Sequence, residues 1–345
     1  MKKTAVVICP GRGTYNKTEL GYLTRHHGDQ SDLLAQFDAY RTAQDQEALS
    51  ILDGADRFSA AKYSRGDHAS PLIYASSLFD AMAISEDYDV VAVTGNSMGW
   101  YIALAVAGAV TPLDGLKVVN TMGTLMHKRL IGGQTLYPFI DDDWAEISGE
   151  RDRVLSLIAE INAQAGHALA VSIHLGGMIV VAGDEAGLSA FEAAVDPRQG
   201  RFPMRLPNHA AFHTALQSPV AAEGQAVLGE DVFASPQIPL VDGRGGVWYP
   251  KANTPSELRA YTLGHQVTET YDFTAAIRTA ARTFAPDVFI CTGPGATLGG
   301  AIAQSLIRAD WLGLASKAAF MDRQSTDPIL ISMGREDQRG LVVRS

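Results

Sequence analysis

The segment Gly95-Asn96-Ser97-Met98-Gly99 fits the pattern G-x-S-x-G. Two glycines let a chain turn where any Cβ would clash, and they leave a serine oxygen exposed at the tip of the corner. An apolar run, Asp89–Thr94, precedes the segment and an apolar helical stretch follows it. In that setting Ser97 reads as a nucleophile. The N–H of Met98, at a helix start, reads as a donor to an oxyanion. Such a serine needs a base, and nine histidines are available: His26, His27, His68, His127, His167, His174, His209, His213 and His265. Residue chemistry alone does not choose among them. His209 and His213 are four apart, but Pro207 argues against a helix there and no third ligand is evident, so no metal is expected. Gly11-x-Gly13 lacks the third glycine of a dinucleotide fingerprint, since position 16 is asparagine. No phosphate-binding G-x-x-x-x-G-K-S/T occurs either.

The elements that must hold these residues alternate between strand and helix. Thr4–Cys9 and Asp89–Thr94 read as buried strands of a parallel sheet. Pro71–Ile84 reads as a helix with Pro71 at its start, and a further helix begins near Leu113 and ends before Gly132. From 134 to 206 the order becomes β-α-β-β-α-β, which is ferredoxin-like. The expected fold is therefore α/β, an α/β-hydrolase-like parallel-sheet core with an inserted ferredoxin-like subdomain. Residues 1–133 and 207–345 would form the large domain and 134–206 the small one. A helix is expected over Phe212–Leu228, a strand over Ile238–Asp242 and a helix over Tyr271–Phe284.

The 345 residues include 46% hydrophobic types, enough for one large core or two smaller ones. A formal net charge of −10 argues against nucleic acid and anionic membrane as partners. Two cysteines, Cys9 and Cys291, suggest no disulfide framework and fit a reducing cytosol. No run is long enough to span a membrane, and the start lacks the features of a signal peptide. A soluble cytoplasmic protein is expected.

Further segments, taken with the elbow, resemble the malonyl-CoA:acyl-carrier-protein transacylase family over nearly the whole chain. Cys9-Pro10-Gly11-Arg12-Gly13 stands where the family has Phe-Pro-Gly-Gln-Gly, and Gly95–Trp100 where it has Gly-His-Ser-Leu-Gly-Glu. Ala211-Phe212-His213-Thr214 is similar to the segment of the catalytic histidine, Gln266 to the glutamine of a Leu-x-x-Gln segment, and Gly293-Pro294-Gly295 to a C-terminal Gly-Pro-Gly. The resemblance implies that Ser97 accepts the acyl group and that His213 is its base, held by main-chain carbonyls without a triad aspartate. It implies an oxyanion hole from the N–H groups of Met98 and Arg12. It further implies that no cofactor is held permanently, that a CoA thioester is the substrate and that an acyl carrier protein is the partner. A monomer is expected.

The departures are concentrated around the pocket. The family's malonyl-binding arginine corresponds to Met122 in Met122-Gly123-Thr124-Leu125-Met126. A thioether cannot balance a buried carboxylate, and an unpaired charge there costs several kcal/mol. Arg12 from another wall is an alternative clamp; a slipped register would give the role to Lys117 or Arg129. Asn96, Trp100, Ser70 and His174 also replace family residues and, with Phe212 and Gln266, are expected to line the substrate pocket. Phe212 points towards an unbranched acyl group.

Two enzymatic readings and one non-enzymatic reading follow. The first is an acyltransferase passing an acyl group, uncharged if Met122 marks the clamp position, from CoA to a carrier's phosphopantetheine thiol. The second is a thioester hydrolase of the same fold. The third is a catalytically silent carrier-docking protein, against which the retention of Ser97 and His213 argues. Acidic carriers would need a local basic patch, for which Lys117, Lys128, Arg129, Arg278 and Arg282 are candidates.

Overall fold

The computed structural model describes residues 2–343. Its strands are β1 (Lys3–Cys9), β2 (Tyr88–Gly95), β3 (Gly133–Pro138), β4 (Leu169–Leu175), β5 (Met178–Gly183), β6 (Met204–Arg205), β7 (Leu240–Val241), β8 (Val247–Trp248), β9 (Tyr271–Asp272), β10 (Val288–Cys291) and β11 (Leu330–Ser332). The larger sheet has the order β11-β10-β1-β2-β7-β8 and is parallel except for β8. Ala5 to Cys9 of its central strand are wholly buried, as a continuous apolar run between two helical layers must be. Cys9 pairs with Gly95, so the loops after β1 and β2 leave the same edge of the sheet side by side. That edge, beyond the carboxyl ends of the strands, is where open α/β sheets place their sites.

The second sheet has the order β6-β3-β5-β4-β9 and carries its own apolar core, including Tyr137, Val154, Ile158, Ile179 and Phe191. Its helices, Glu150–Asn162 and Glu185–Ala194, complete the ferredoxin-like order. β9 reaches this sheet from outside the 134–206 segment and runs parallel to β4, with Ile173 opposite Tyr271. Strand 271–272 therefore replaces the first turn of the helix expected from Tyr271, which begins at Phe273 behind an Asp272 cap.

Two other helices differ from expectation. Gly66–Met82 starts before Pro71 and carries that proline in its interior. Proline has no N–H to offer the carbonyl four residues back. The orphaned oxygen is that of Asp67, and the buried Arg41 guanidinium donates to it at 3.0 Å. The helix expected from Phe212 starts only at Ala215, as a short 3-10 turn leading into Ser218–Val227. His213 takes φ +60° and donates its N–H to Val267 O, so it cannot join a helix.

Candidate active site

Ser97 sits at the corner between β2 and the helix Gly99–Val106, with φ +55°. A Cβ on Gly95 would lie 2.2 Å from the main chain of Gly99, and one on Gly99 2.2 Å from Cys9 O. Only glycine permits that approach, and the strain at Ser97 is held by its surroundings. The Ser97 hydroxyl lies 2.7 Å from Nε2 of His213. Nδ1 of the same ring lies 2.5 Å from the main-chain oxygen of Gln266. A carbonyl can only accept, so Nδ1 carries the proton and Nε2 is free to take the serine's. Burial pushes the pKa of His213 down to about 4, with the Gln266 carbonyl opposing and His265 adding to the shift. The imidazole is neutral at pH 7.

Gln266 braces both partners. Its Nε2 donates to Ser97 O at 3.0 Å, and its Oε1 accepts from Tyr101 OH at 2.9 Å. It follows a π-helical turn, Tyr261–His265, a geometry that often marks functional positions. Tyr271 OH donates to Gly95 O at 2.6 Å while its ring packs 5.2 Å from that of His213. A second chain supports the histidine loop. His209 Nδ1 meets Gln134 Oε1 at 2.8 Å, Gln134 Nε2 donates to Ser172 Oγ at 2.7 Å, and Ser172 Oγ donates to Phe212 O at 2.8 Å. Sequence reading gave no site role to Tyr271, Gln134 or Ser172, and weighed His209 only as one of nine histidines and as a metal candidate. Their roles come from contacts across many residues of chain, and no local motif announces them.

The N–H groups of Met98 and Arg12 have no acceptor among the described residues, and both residues line the cavity in front of Ser97. The Arg12 guanidinium is buried and donates to Ser64 O at 2.6 Å and Asn208 O at 2.9 Å. Burial pulls its pKa down to about 10, with Asp67 opposing. The cavity has a volume of about 390 Å³; Asn96, Ser70, Met122, Phe212 and Gln266 all reach it.

Trp100 and His174 do not, and both expectations need correction. Trp100 is fully buried on the other side of its helix, where Nε1 donates to Thr262 Oγ1 at 3.0 Å. Helical spacing puts Tyr101, four residues after Ser97, on the cavity side instead. His174 lies between Ile173 and Leu175, which line the cavity, and strand alternation turns it to the opposite face. It faces a separate concavity of about 110 Å³ with Arg151, Asp272, Arg278 and Arg308. Burial lowers its pKa; Asp272 opposes this, and Arg151 and Arg308 add to it.

The basic candidates are dispersed. Lys117 is paired with Asp114 at 2.7 Å and Arg129 with Glu223. Arg282 donates to Ala309 O at 2.9 Å. Lys128 and Arg278 are exposed on different helices, Pro112–Arg129 and Phe273–Phe284. Among the described residues, no group of three or more His, Cys, Asp or Glu side chains is placed to hold a metal, and no helix is long and apolar enough to cross a membrane.

No family model matches the chain. It is 27% identical to a phenolphthiocerol synthesis type I polyketide synthase of Mycobacterium marinum, in a match that takes in 99% of this chain and 15% of that protein. It is 25% identical to the malonyl CoA-acyl carrier protein transacylase of Salmonella typhimurium over 43% of this chain and 46% of the relative. The chain thus spans less than half the length of either relative. Among solved structures, the malonyl-CoA:acyl carrier protein transacylase of Xanthomonas oryzae pv. oryzae superposes with a TM-score of 0.75, covering 100% of both chains at 18% identity. A malonyl-transacylase solved in complex with a type II polyketide synthase acyl-carrier protein gives a TM-score of 0.68 at 18% identity, over 88% of this chain and 93% of that one. The resemblance to the malonyl-CoA:acyl-carrier-protein transacylase family carried by the motifs is borne out in sequence and in fold.

Proposed function

We propose that this chain is an acyltransferase that moves an acyl group from CoA to the phosphopantetheine thiol of an acyl carrier protein through an ester on Ser97. The observation that carries this reading is the 2.7 Å contact between Ser97 Oγ and His213 Nε2. The Ser97 hydroxyl attacks the thioester carbonyl and its proton passes to Nε2. The N–H groups of Met98 and Arg12 receive the negative charge on the former carbonyl oxygen. Collapse breaks the C–S bond, and the imidazolium returns the proton to the leaving thiolate. The carrier's thiol then repeats the sequence in reverse, giving up its proton to Nε2 as it takes the acyl group. The similarity to a transacylase solved with a carrier protein supports a carrier as acceptor.

We further propose that the acyl group carries no charge. Met122 is 1% exposed and lies against Gly224, whose Cβ position is 2.6 Å from its sulfur. The motif resemblance puts this thioether where the family keeps its carboxylate-binding arginine, and that supports an uncharged acyl group. The test incubates the protein with acyl-CoAs, with and without a holo carrier protein, and follows intact masses. An acyl-Ser97 ester that passes to the carrier supports transfer, and release as free acid supports the hydrolase. No adduct would sink both.

A further inference from the structure

The cavity of about 390 Å³ runs across the junction of the two sheets. Val119, Met122 and Met126 form its wall on the large side, and Leu136, Met178 and Met204 its wall on the small side. Five of the chain's nine methionines, Met98, Met122, Met126, Met178 and Met204, line it. Methionine is unbranched and polarisable, and it shifts to fill or vacate space at low cost. A wall rich in it accepts guests of different lengths. Two cations line the cavity, of which Arg12 is committed to protein acceptors and Arg201 is exposed to solvent. Arg12 donates to Ser64 O, Asn208 O and, at 3.3 Å, Met126 Sδ, with only Nε left without an acceptor. Arg201 is exposed and lies 4.8 Å over the ring of Phe202.

Resting on the acyl-serine reading above, we infer that the site takes aliphatic acyl chains of medium length, with tolerance in length set by methionines of the helix Pro112–Arg129 and of the small sheet. A cavity near ~150 Å³ accommodates a benzene; with roughly half of the present cavity left to the thiol end of the donor, the remainder holds a chain of about six to ten carbons. The small ferredoxin-like part thereby supplies half of the specificity wall, which Met122 alone would not reveal.

The test is a loading series on the whole protein with acetyl-, butyryl-, hexanoyl-, octanoyl-, decanoyl-, lauroyl-, palmitoyl- and malonyl-CoA, scored by rate of Ser97 acylation. The expected result is a broad maximum over hexanoyl to decanoyl, about ten-fold or more above acetyl and malonyl. Val119→Phe in the wall, and Met178→Trp at a half-buried hairpin position as a second variant, each move the maximum about two to four carbons shorter. The wild-type series decides the matter even if a variant does not fold. Acylation by acetyl-CoA with a steady fall at longer chains would overturn the inference and leave the acyl-serine reading standing. Preference for malonyl-CoA would overturn it as well and assign the acyl end to Arg12. Absence of any adduct across the series would remove the acyl-serine reading itself.

Discussion

The main-chain oxygen of Gln266 stands 2.5 Å from Nδ1 of His213, while the side-chain amide of the same residue holds Ser97 O at 3.0 Å. One residue thus fixes the tautomer of His213 and the position of the Ser97 main chain. An aspartate is unnecessary where a carbonyl aligned with the ring already holds the proton on Nδ1.

Replacing Ser97 by alanine should abolish the covalent adduct in intact mass spectra while far-UV circular dichroism stays unchanged. His213→Gln keeps a side chain of similar reach without a base, and loading should fall by about 10²–10⁴-fold. A His213→Gln protein that loads at the parental rate would transfer the role of base to another group.

With the folded pKa of His213 near 4, the base stays unprotonated well below the usual histidine range. The loading rate should hold between pH 8 and about 5 and decline only below that. Stability follows the same groups with a definite sign. His213 and His209 are both held neutral by burial, so the unfolded chain binds more protons than the folded one below the unfolded histidine pKa. Their contribution is fully present above about pH 6.5 and is lost as pH falls below it, for His213 down to about 4. Tm measured at pH 7.5 and pH 5 should drop by a few degrees, and His209→Gln should lessen the drop.

Gln266→Leu removes the bonds to Ser97 O and Tyr101 OH but leaves the main-chain carbonyl on His213. Ser97 O keeps the N–H of Trp100, but the buried Tyr101 OH loses its partner, which should cost about 1–3 kcal/mol in urea unfolding. Loading should slow because the elbow is less firmly held, and the pH dependence of the rate should be unchanged. A displaced pH profile would indicate that the side chain also tunes the histidine.

Met122→Arg places a guanidinium fork at the position that the motif resemblance matches to the family's carboxylate-binding arginine. The ratio of malonyl to octanoyl loading should rise by about ten-fold or more. Because Met122 is packed against Gly224, a thermal melt accompanies the assay. An unchanged ratio in a folded variant would place the acyl end elsewhere in the cavity.

Arg12→Ala keeps the main-chain N–H but frees the loop after β1 from Ser64 O and Asn208 O. Acylation should slow by about ten-fold through loss of oxyanion positioning, with stability reduced by about 1–3 kcal/mol. If hydroxylamine release of the acyl group slows as well, both halves of the reaction share the same loop.

The sequence by itself determined the elbow, because two glycines around a serine after a buried strand leave the backbone one way to turn. It also determined the αβ alternation and the ferredoxin-like order, which follow from hydrophobic period and turn residues. The small sheet's fifth strand, β9, was not legible: two residues at a helix start carry no periodicity. Nor was the interior position of Pro71, which depends on Arg41 satisfying a distant carbonyl. Within the site, alignment with a motif could not say which face a residue takes. Trp100 and His174 were placed in the pocket by analogy, and helix and strand geometry turned both away from it. The cavity wall takes methionines from the helix Pro112–Arg129 and from the small sheet. Only the folded chain brings Met122 and Met178 to one cavity, since burial of apolar surface is decided between elements and not along them.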